Sequence, residues 1–202
     1  MIDALILDLD GVVRHWDQDH FAATAASFGM TASDFGAVVF DPQLLTAAMT
    51  GALTAEAWDH EIGQRVGARQ GADPAAVAAA FAALTWSIDD EVVALVREVR
   101  ASGRARVALF SNASTRLEAD LESCGLGDAF DVIFNSARLG VAKPHTDAFR
   151  SVAAALAAAP ERCLFVDDTI PNVEGARAAG MQAEPFTGAR ELRSLLERTG
   201  LL

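Results

Sequence analysis

The chain of 202 residues is 51% hydrophobic and 22% charged, enough apolar mass for one globular core, with or without a modest insertion, and too apolar for a disordered segment. A net charge of -12 disfavours nucleic acid and anionic membrane surfaces as partners, so an anionic substrate would need a local positive site such as a bound cation. No apolar run approaches the length of a membrane span, a strand starting almost at Met1 leaves no room for a signal peptide, and Cys124 and Cys163 are too few for a disulfide framework; a reduced, cytoplasmic protein is expected.

The apolar run Ala4-Leu5-Ile6-Leu7 leads directly into Asp8, Leu9, Asp10 and Gly11. A short apolar run ended by a turn signal predicts a buried, parallel-type strand, with both carboxylates where it leaves the sheet and Gly11 permitting a sharp turn. Alone, this is also what an ordinary acidic loop after a core strand looks like. Arg14-His15-Trp16-Asp17 then reads as neither strand nor helix.

Helical periodicity follows. Phe21, Ala25 and Phe28 share one face before Gly29, and Phe35, Val38 and Val39 mark a second short helix. Asp41-Pro42 and Asp73-Pro74 each offer an N-cap followed by proline at the first helical position, and Thr54 can cap the helix between them. The apolar stripes are Leu45, Ala48 and Met49, then Trp58, Ile62 and Val66, then Val77, Phe81 and Leu84. Trp58 reads as packing for this module, and no strand pattern is seen in 17–86.

From Trp86 the pattern changes to alternating helix and strand. Val92, Leu95, Val96 and Val99 face a helix ended by Gly103, and Val107–Phe110 is a buried strand running into Ser111 and Asn112. Leu117, Leu121 and Cys124 give a helix, Val132–Phe134 a strand, and a loop carries Lys143-Pro144. A helix through Phe149, Val152 and Leu156 stops at Pro160, and strand Leu164–Val166 runs into Asp167 and Asp168. A helix from about Asn172 to Ala179, an edge strand Met181–Pro185 and a last helix striped by Leu192, Leu195 and Leu196 complete the chain. This order predicts an α/β fold, a Rossmann-like parallel sheet of residues 1–13 and 87–202 covered on both faces, with 14–86 inserted as an all-helical domain.

Ligands of open parallel sheets bind beyond the carboxyl ends of the strands. Asp8, Asp10, Ser111, Asn112, Lys143, Asp167 and Asp168 all fall at or just after such ends. Carboxylates without histidine or thiol partners favour a hard cation such as Mg²⁺. His20, His60 and His145 lack metal-ligand spacing and read as surface residues.

Four pieces in order, Asp8-Leu9-Asp10-Gly11, Ser111-Asn112, Lys143-Pro144 and Asp167-Asp168, resemble the four motifs of the haloacid dehalogenase-like (HAD) hydrolases. The resemblance spans nearly the whole chain and identifies the helical insertion with the family's C1 cap. It implies Mg²⁺ held by Asp8, the backbone carbonyl of Asp10, and Asp168, with Asp167 in support. Asn172 stands where many relatives have a further aspartate. It also implies Asp8 as nucleophile, Asp10 as proton donor and acceptor, and Ser111, the Asn112 backbone and Lys143 around the transferring phosphoryl oxygens. Arg14, His15 and Trp16 follow the catalytic loop and are candidates to face the substrate from the hinge of the cap.

The expected function is therefore a Mg²⁺-dependent phosphatase of a small phosphorylated metabolite, acting through an aspartyl-phosphate. A phosphosugar mutase is a second reading. A haloacid dehalogenase is a third, disfavoured because dehalogenases of the family lack the second aspartate, here Asp10. A catalytically silent regulatory or binding protein is the fourth, disfavoured because the motif residues are intact. The sequence carries no signal for oligomeric state.

Overall fold

The computed structural model describes all residues, 1–202. Strand β1 (Ala4–Leu7) is wholly buried, and β2 (Arg14–Trp16) follows it after the Asp10-Gly11 turn. Five helices come next: α1 (Gln18–Ser27), α2 (Ala32–Val39), α3 (Pro42–Met49), α4 (Ala55–Gln70) and α5 (Pro74–Ala82). The chain then alternates through β3 (Trp86–Ile88), α6 (Asp90–Ser102), β4 (Arg106–Ser111), α7 (Leu117–Ser123), β5 (Val132–Asn135), α8 (Ser136–Leu139), α9 (Thr146–Ala155), β6 (Cys163–Asp167), α10 (Ile170–Ala178), β7 (Gln182–Pro185) and α11 (Ala189–Arg198).

The main sheet has the order β5-β4-β1-β6-β7, and every pairing in it is parallel. β1 lies between β4 and β6, so the segments leaving these three strands emerge side by side. Successive residues of a strand face opposite sides. Leu5, Leu7, Val107, Leu109, Leu164 and Val166 accordingly join one apolar cluster with α6, α7 and α11. Ala4, Ile6, Ala108, Phe110 and Phe165 join another with α9 and α10. A third cluster draws only on residues between Ala25 and Leu84.

The helices start where the sequence puts caps. Side chains of Thr31, Asp41, Thr54 and Asp73 each accept a hydrogen bond from a first-turn backbone N–H, satisfying a donor that has no partner within the helix. Helices α4 and α5 cross closely because α4 carries glycine at the crossing. A Cβ on Gly63 would stand 2.2 Å from the Pro74 carbonyl oxygen.

Several features depart from the expected elements. Arg14–Trp16 is a strand, paired antiparallel with Trp86–Ile88 in the register Arg14↔Ile88, His15↔Ser87, Trp16↔Trp86. Three-residue strands are too short to display a period of two, and here the partners come from the two ends of the helical stretch. The loop before Lys143 contains the short helix α8, and a 3-10 turn, Pro160–Arg162, precedes β6. Helix α10 begins at Ile170, earlier than Asn172, with Pro171 in its first turn.

Gly63→Ala should separate α4 from α5 and cost about 1–3 kcal/mol, the usual penalty for overpacking. Urea denaturation monitored by circular dichroism would measure it, and an unchanged midpoint would contradict the close crossing.

Candidate active site

The site begins with one buried ammonium group. The Lys143 side chain is almost wholly inaccessible, and its Nζ lies 2.7 Å from Asp8 Oδ1, 2.7 Å from Asp167 Oδ2 and 3.0 Å from the Phe110 carbonyl oxygen. The ammonium thus donates to Asp167 and to the Phe110 carbonyl and is ion-paired with Asp8. The rings of Phe110 and Phe165 lie 5.2 and 5.3 Å from Nζ, which keeps water away and adds cation–π attraction. Asn112 holds the backbone of the same residue: its Oδ1 accepts from Lys143 N–H at 2.8 Å and its Nδ2 donates to the Lys143 carbonyl at 2.8 Å. The sequence reading considered only the backbone of Asn112, and the side chain pins the lysine loop to the end of β4.

Asp8 sits just beyond β1, its N–H bonded to the Val166 carbonyl of β6 at 2.9 Å. Burial pushes its carboxyl up to about 7, Lys143 opposes that rise, and the neighbouring Asp167 charge adds to it. Asp167, fully buried, accepts from Lys143, from Thr169 N–H at 2.8 Å, and from Asn172 Nδ2 at 3.1 Å to each oxygen. Asp168 is exposed and carries one side-chain hydrogen bond, from Thr169 Oγ1 at 3.2 Å. Its carboxylate lies against Gly11, where a Cβ would stand 2.1 Å from Asp168 Oδ2. Gly11 has φ +89°, so both backbone conformation and close approach require glycine there.

Asp8, Asp167 and Asp168 can each present one carboxylate oxygen within 4.8 Å of the others. An all-oxygen cluster fits a hard divalent cation. The two acids of the pair differ in availability: Asp167 has both oxygens engaged by donors, whereas Asp168 faces solvent.

The Asp10 carboxylate is not in that cluster. It is gripped by Arg14, whose Nε and Nη2 donate to its two oxygens at 2.7 and 2.9 Å. Arg14 is itself buried, with its guanidinium 4.5 Å from the Trp86 ring and 5.6 Å from the Trp16 ring. Its Nη1 has no hydrogen-bond partner and lies 3.8 Å from Asp120 Oδ2. Asp10, Arg14, Trp16 and Asn112 line a cavity of about 260 Å³.

His15 is not brought to that cavity. It is the middle residue of β2 and points to the opposite side from Arg14 and Trp16, exposed, with Nε2 3.9 Å from Asp89 Oδ2. Ser111 ends β4 and is buried beside Asn112. The cavity also uses residues that the sequence reading passed over or gave another role. Phe40, Phe81, Arg116 and Asp120 line it, as does Trp58, which belongs to the helical cluster as well. Their spacing matches ordinary core stripes and a solvated helix start, so no linear signal marked them.

The family model for haloacid dehalogenase-like hydrolases matches residues 2–180. A phosphatase of Mycobacterium tuberculosis is 39% identical over 90 residues, 44% of this chain and 41% of that protein. The chain spans roughly two fifths of the length of the curated relatives it matches. A HAD family enzyme of Bacteroides thetaiotaomicron, solved with magnesium and inorganic phosphate, superposes with a TM-score of 0.73 at 18% identity, covering 93% of this chain and 95% of that one. The L-2-haloacid dehalogenase of Xanthobacter autotrophicus superposes with a TM-score of 0.68 at 22% identity, covering 100% and 85%. At these identities both structures speak for the fold.

The raised Asp8 has a consequence for stability. The unfolded side chain releases its proton near 3.8, the folded one near 7, so between those values the folded state binds more protons and stability falls as pH rises. In EDTA, Asp8→Asn should therefore melt several degrees above the wild type at pH 8, with the gain shrinking toward pH 4–5 (about one unit above the unfolded value). Thermal unfolding across that range would check it, and equal melting temperatures at pH 8 would contradict the burial argument.

Proposed function

The chain belongs to the haloacid dehalogenase-like hydrolases, and from that premise we propose that it is a Mg²⁺-dependent phosphatase of small phosphomonoesters. We further propose that 14–86 forms a cap over a core of 1–13 and 87–202. The observation that carries the reading is the pair of carboxylates at the end of β1: Asp8 buried against Lys143, Asp10 at the wall of the adjoining cavity. Departure of an alkoxide is helped by a proton donor, whereas departure of a halide needs none. The Mycobacterium tuberculosis phosphatase supports the same reaction class.

Asp8 attacks phosphorus, the bond from phosphorus to the ester oxygen breaks, and Asp10, protonated and with one oxygen turned away from Arg14 when substrate binds, delivers its proton to that oxygen. A covalent phosphate remains on Asp8. Asp10 then takes a proton from water, which attacks phosphorus, and inorganic phosphate leaves with the Asp8 carboxylate restored. Lys143 holds Asp8 in place and balances its charge, while Ser111 and the Asn112 backbone supply donors for the phosphoryl oxygens. Asp8, the Asp10 carbonyl and Asp168 are the groups assigned to Mg²⁺, with Asp167 orienting Lys143. The cation, when bound, offsets the negative charge shared by the phosphoryl group and the carboxylates. No helix is long and apolar enough to cross a membrane. Free Cys124 and Cys163 suit the reducing cytoplasm to which we assign the protein.

Turnover of an aryl phosphate should require Mg²⁺, and Asp168→Ala should raise the Mg²⁺ concentration needed while leaving the melting temperature near that of the wild type. Wild-type turnover in EDTA would sink the metal-dependent reading. Asp10→Asn should lose about a hundred- to ten-thousand-fold in steady-state rate. With an aryl phosphate, whose leaving group needs little protonation, it should still give a burst and accumulate phosphate on Asp8. Asp8→Asn should show neither. Rapid quench with mass spectrometry of the trapped protein decides between these roles, and absence of labelling in Asp10→Asn would reverse them.

A further inference from the structure

The cavity beside Asp10 has a composition unlike the phosphoryl site it joins. Five aromatic rings, Trp16, Phe40, Trp58, Phe81 and Trp86, form much of its wall, together with Met49. A second apolar recess, sharing Trp16, Phe40, Trp58 and Phe81, continues it. Phe40 is 50% exposed and Trp16 36%, two large apolar side chains left uncovered on the same cavity.

The cavity's only cations are already matched. Arg14 is bonded to both oxygens of Asp10 and lies near Asp120, and Arg116 is paired with Asp59. A second anionic group on a ligand would find no free positive charge and would meet Asp10 and Asp120 instead. Side-chain polar groups in the wall are few: besides the paired Asp10, Arg14 and Arg116, and the Asn112 amide bonded to the Lys143 backbone, the lining offers Ser114 and Asp120. Two such groups fall short of the hydroxyls around a sugar ring, several of which would lose their hydration without replacement.

Position decides what occupies the space. In the phosphatase reading, on which this inference rests, Asp10 protonates the departing oxygen. Asp10 is part of the cavity wall, so the group attached to that oxygen extends into the cavity. We infer that the enzyme selects monophosphate esters of uncharged, largely apolar alcohols of about one ring in size, bound by the aromatic wall at 16, 40, 58, 81 and 86.

Cyclohexylmethyl phosphate and glucose 6-phosphate test this as a pair, because both are primary esters on a six-membered ring and they differ chiefly in the ring oxygen and hydroxyls. The apolar ester should have the higher kcat/KM by about 10- to 100-fold, the range a hydrophobic pocket achieves against a hydroxylated analogue. Phe40→Ala, at a half-exposed position, should narrow that ratio by lowering kcat/KM for the apolar ester. Equal or reversed preference in the wild type, or a ratio unmoved by Phe40→Ala, would overturn the inference. A separate readout uses the chain's three tryptophans, all of which line the cavity. Cyclohexylmethanol, which does not absorb in the tryptophan range, should shift their emission saturably, and an unchanged emission would count against the pocket. Failure to hydrolyse any phosphomonoester, with the emission shift present, would remove the phosphatase reading and leave the apolar pocket standing.

Discussion

The arrangement depends on a lysine ammonium held in a dry place. Removing one cation and two carboxylates from water costs several kcal/mol per ion unless every charge is paired and hydrogen-bonded. Lys143 meets that condition for itself, donating to Asp167 and the Phe110 carbonyl and ion-paired with Asp8. Asp167 meets it through Lys143, Thr169 and Asn172. Asp8 meets it least. It has the Lys143 contact, and burial together with the Asp167 charge still lifts its carboxyl to about 7. The least compensated charge is thus on the group to which we assign the nucleophile's role, and its neighbours keep it there at a cost in stability.

A second charged unit stands beside the first and is built on different principles. Asp10 is held through both oxygens by Arg14, and Arg14 is held by packing between Trp16 and Trp86. These tryptophans are opposite one another in the β2–β3 ribbon, their rings edge-on at 5.6 Å. The ribbon is made from the two crossings between the helical stretch and the sheet. Any shift of the helices relative to the sheet therefore acts on the residues that grip Asp10. Farther out, Ala55 N–H donates to Thr115 Oγ1 at 2.9 Å, and Arg116 pairs with Asp59, closing the cavity from the other side.

Much of this was legible in the sequence because it is local. A run such as Ala4–Leu7 must be buried, and the caps at Asp41, Thr54 and Asp73 act within one turn of their helices. The doubly wound sheet follows from the alternation of strands and helices, and motif residues at strand ends converge on one edge of it. What stayed hidden is non-local. The ribbon joins residues from the two ends of the helical stretch, and three-residue strands have no pattern of their own. The side-chain bonds of Asn112 to Lys143 depend on how two loops meet. His15 and Trp16 looked equivalent as neighbours, and the pleat of β2 sends them to opposite sides.

The sequence by itself determined the strand–helix order, the run of helices between Trp16 and Trp86, and the oxygen-bearing residues that stand at strand ends, since burial periodicity, capping and turn preference act over a few residues at a time. The tertiary structure alone decided the partners of each charge. It tied Asp167 to Lys143 and Asn172, left Asp168 facing solvent, turned Asp10 toward Arg14, and gathered Trp16, Phe40, Trp58, Phe81 and Trp86 into one wall. Those outcomes rest on distances between residues far apart in the chain, which are set when the two faces of the sheet and the helical stretch pack together.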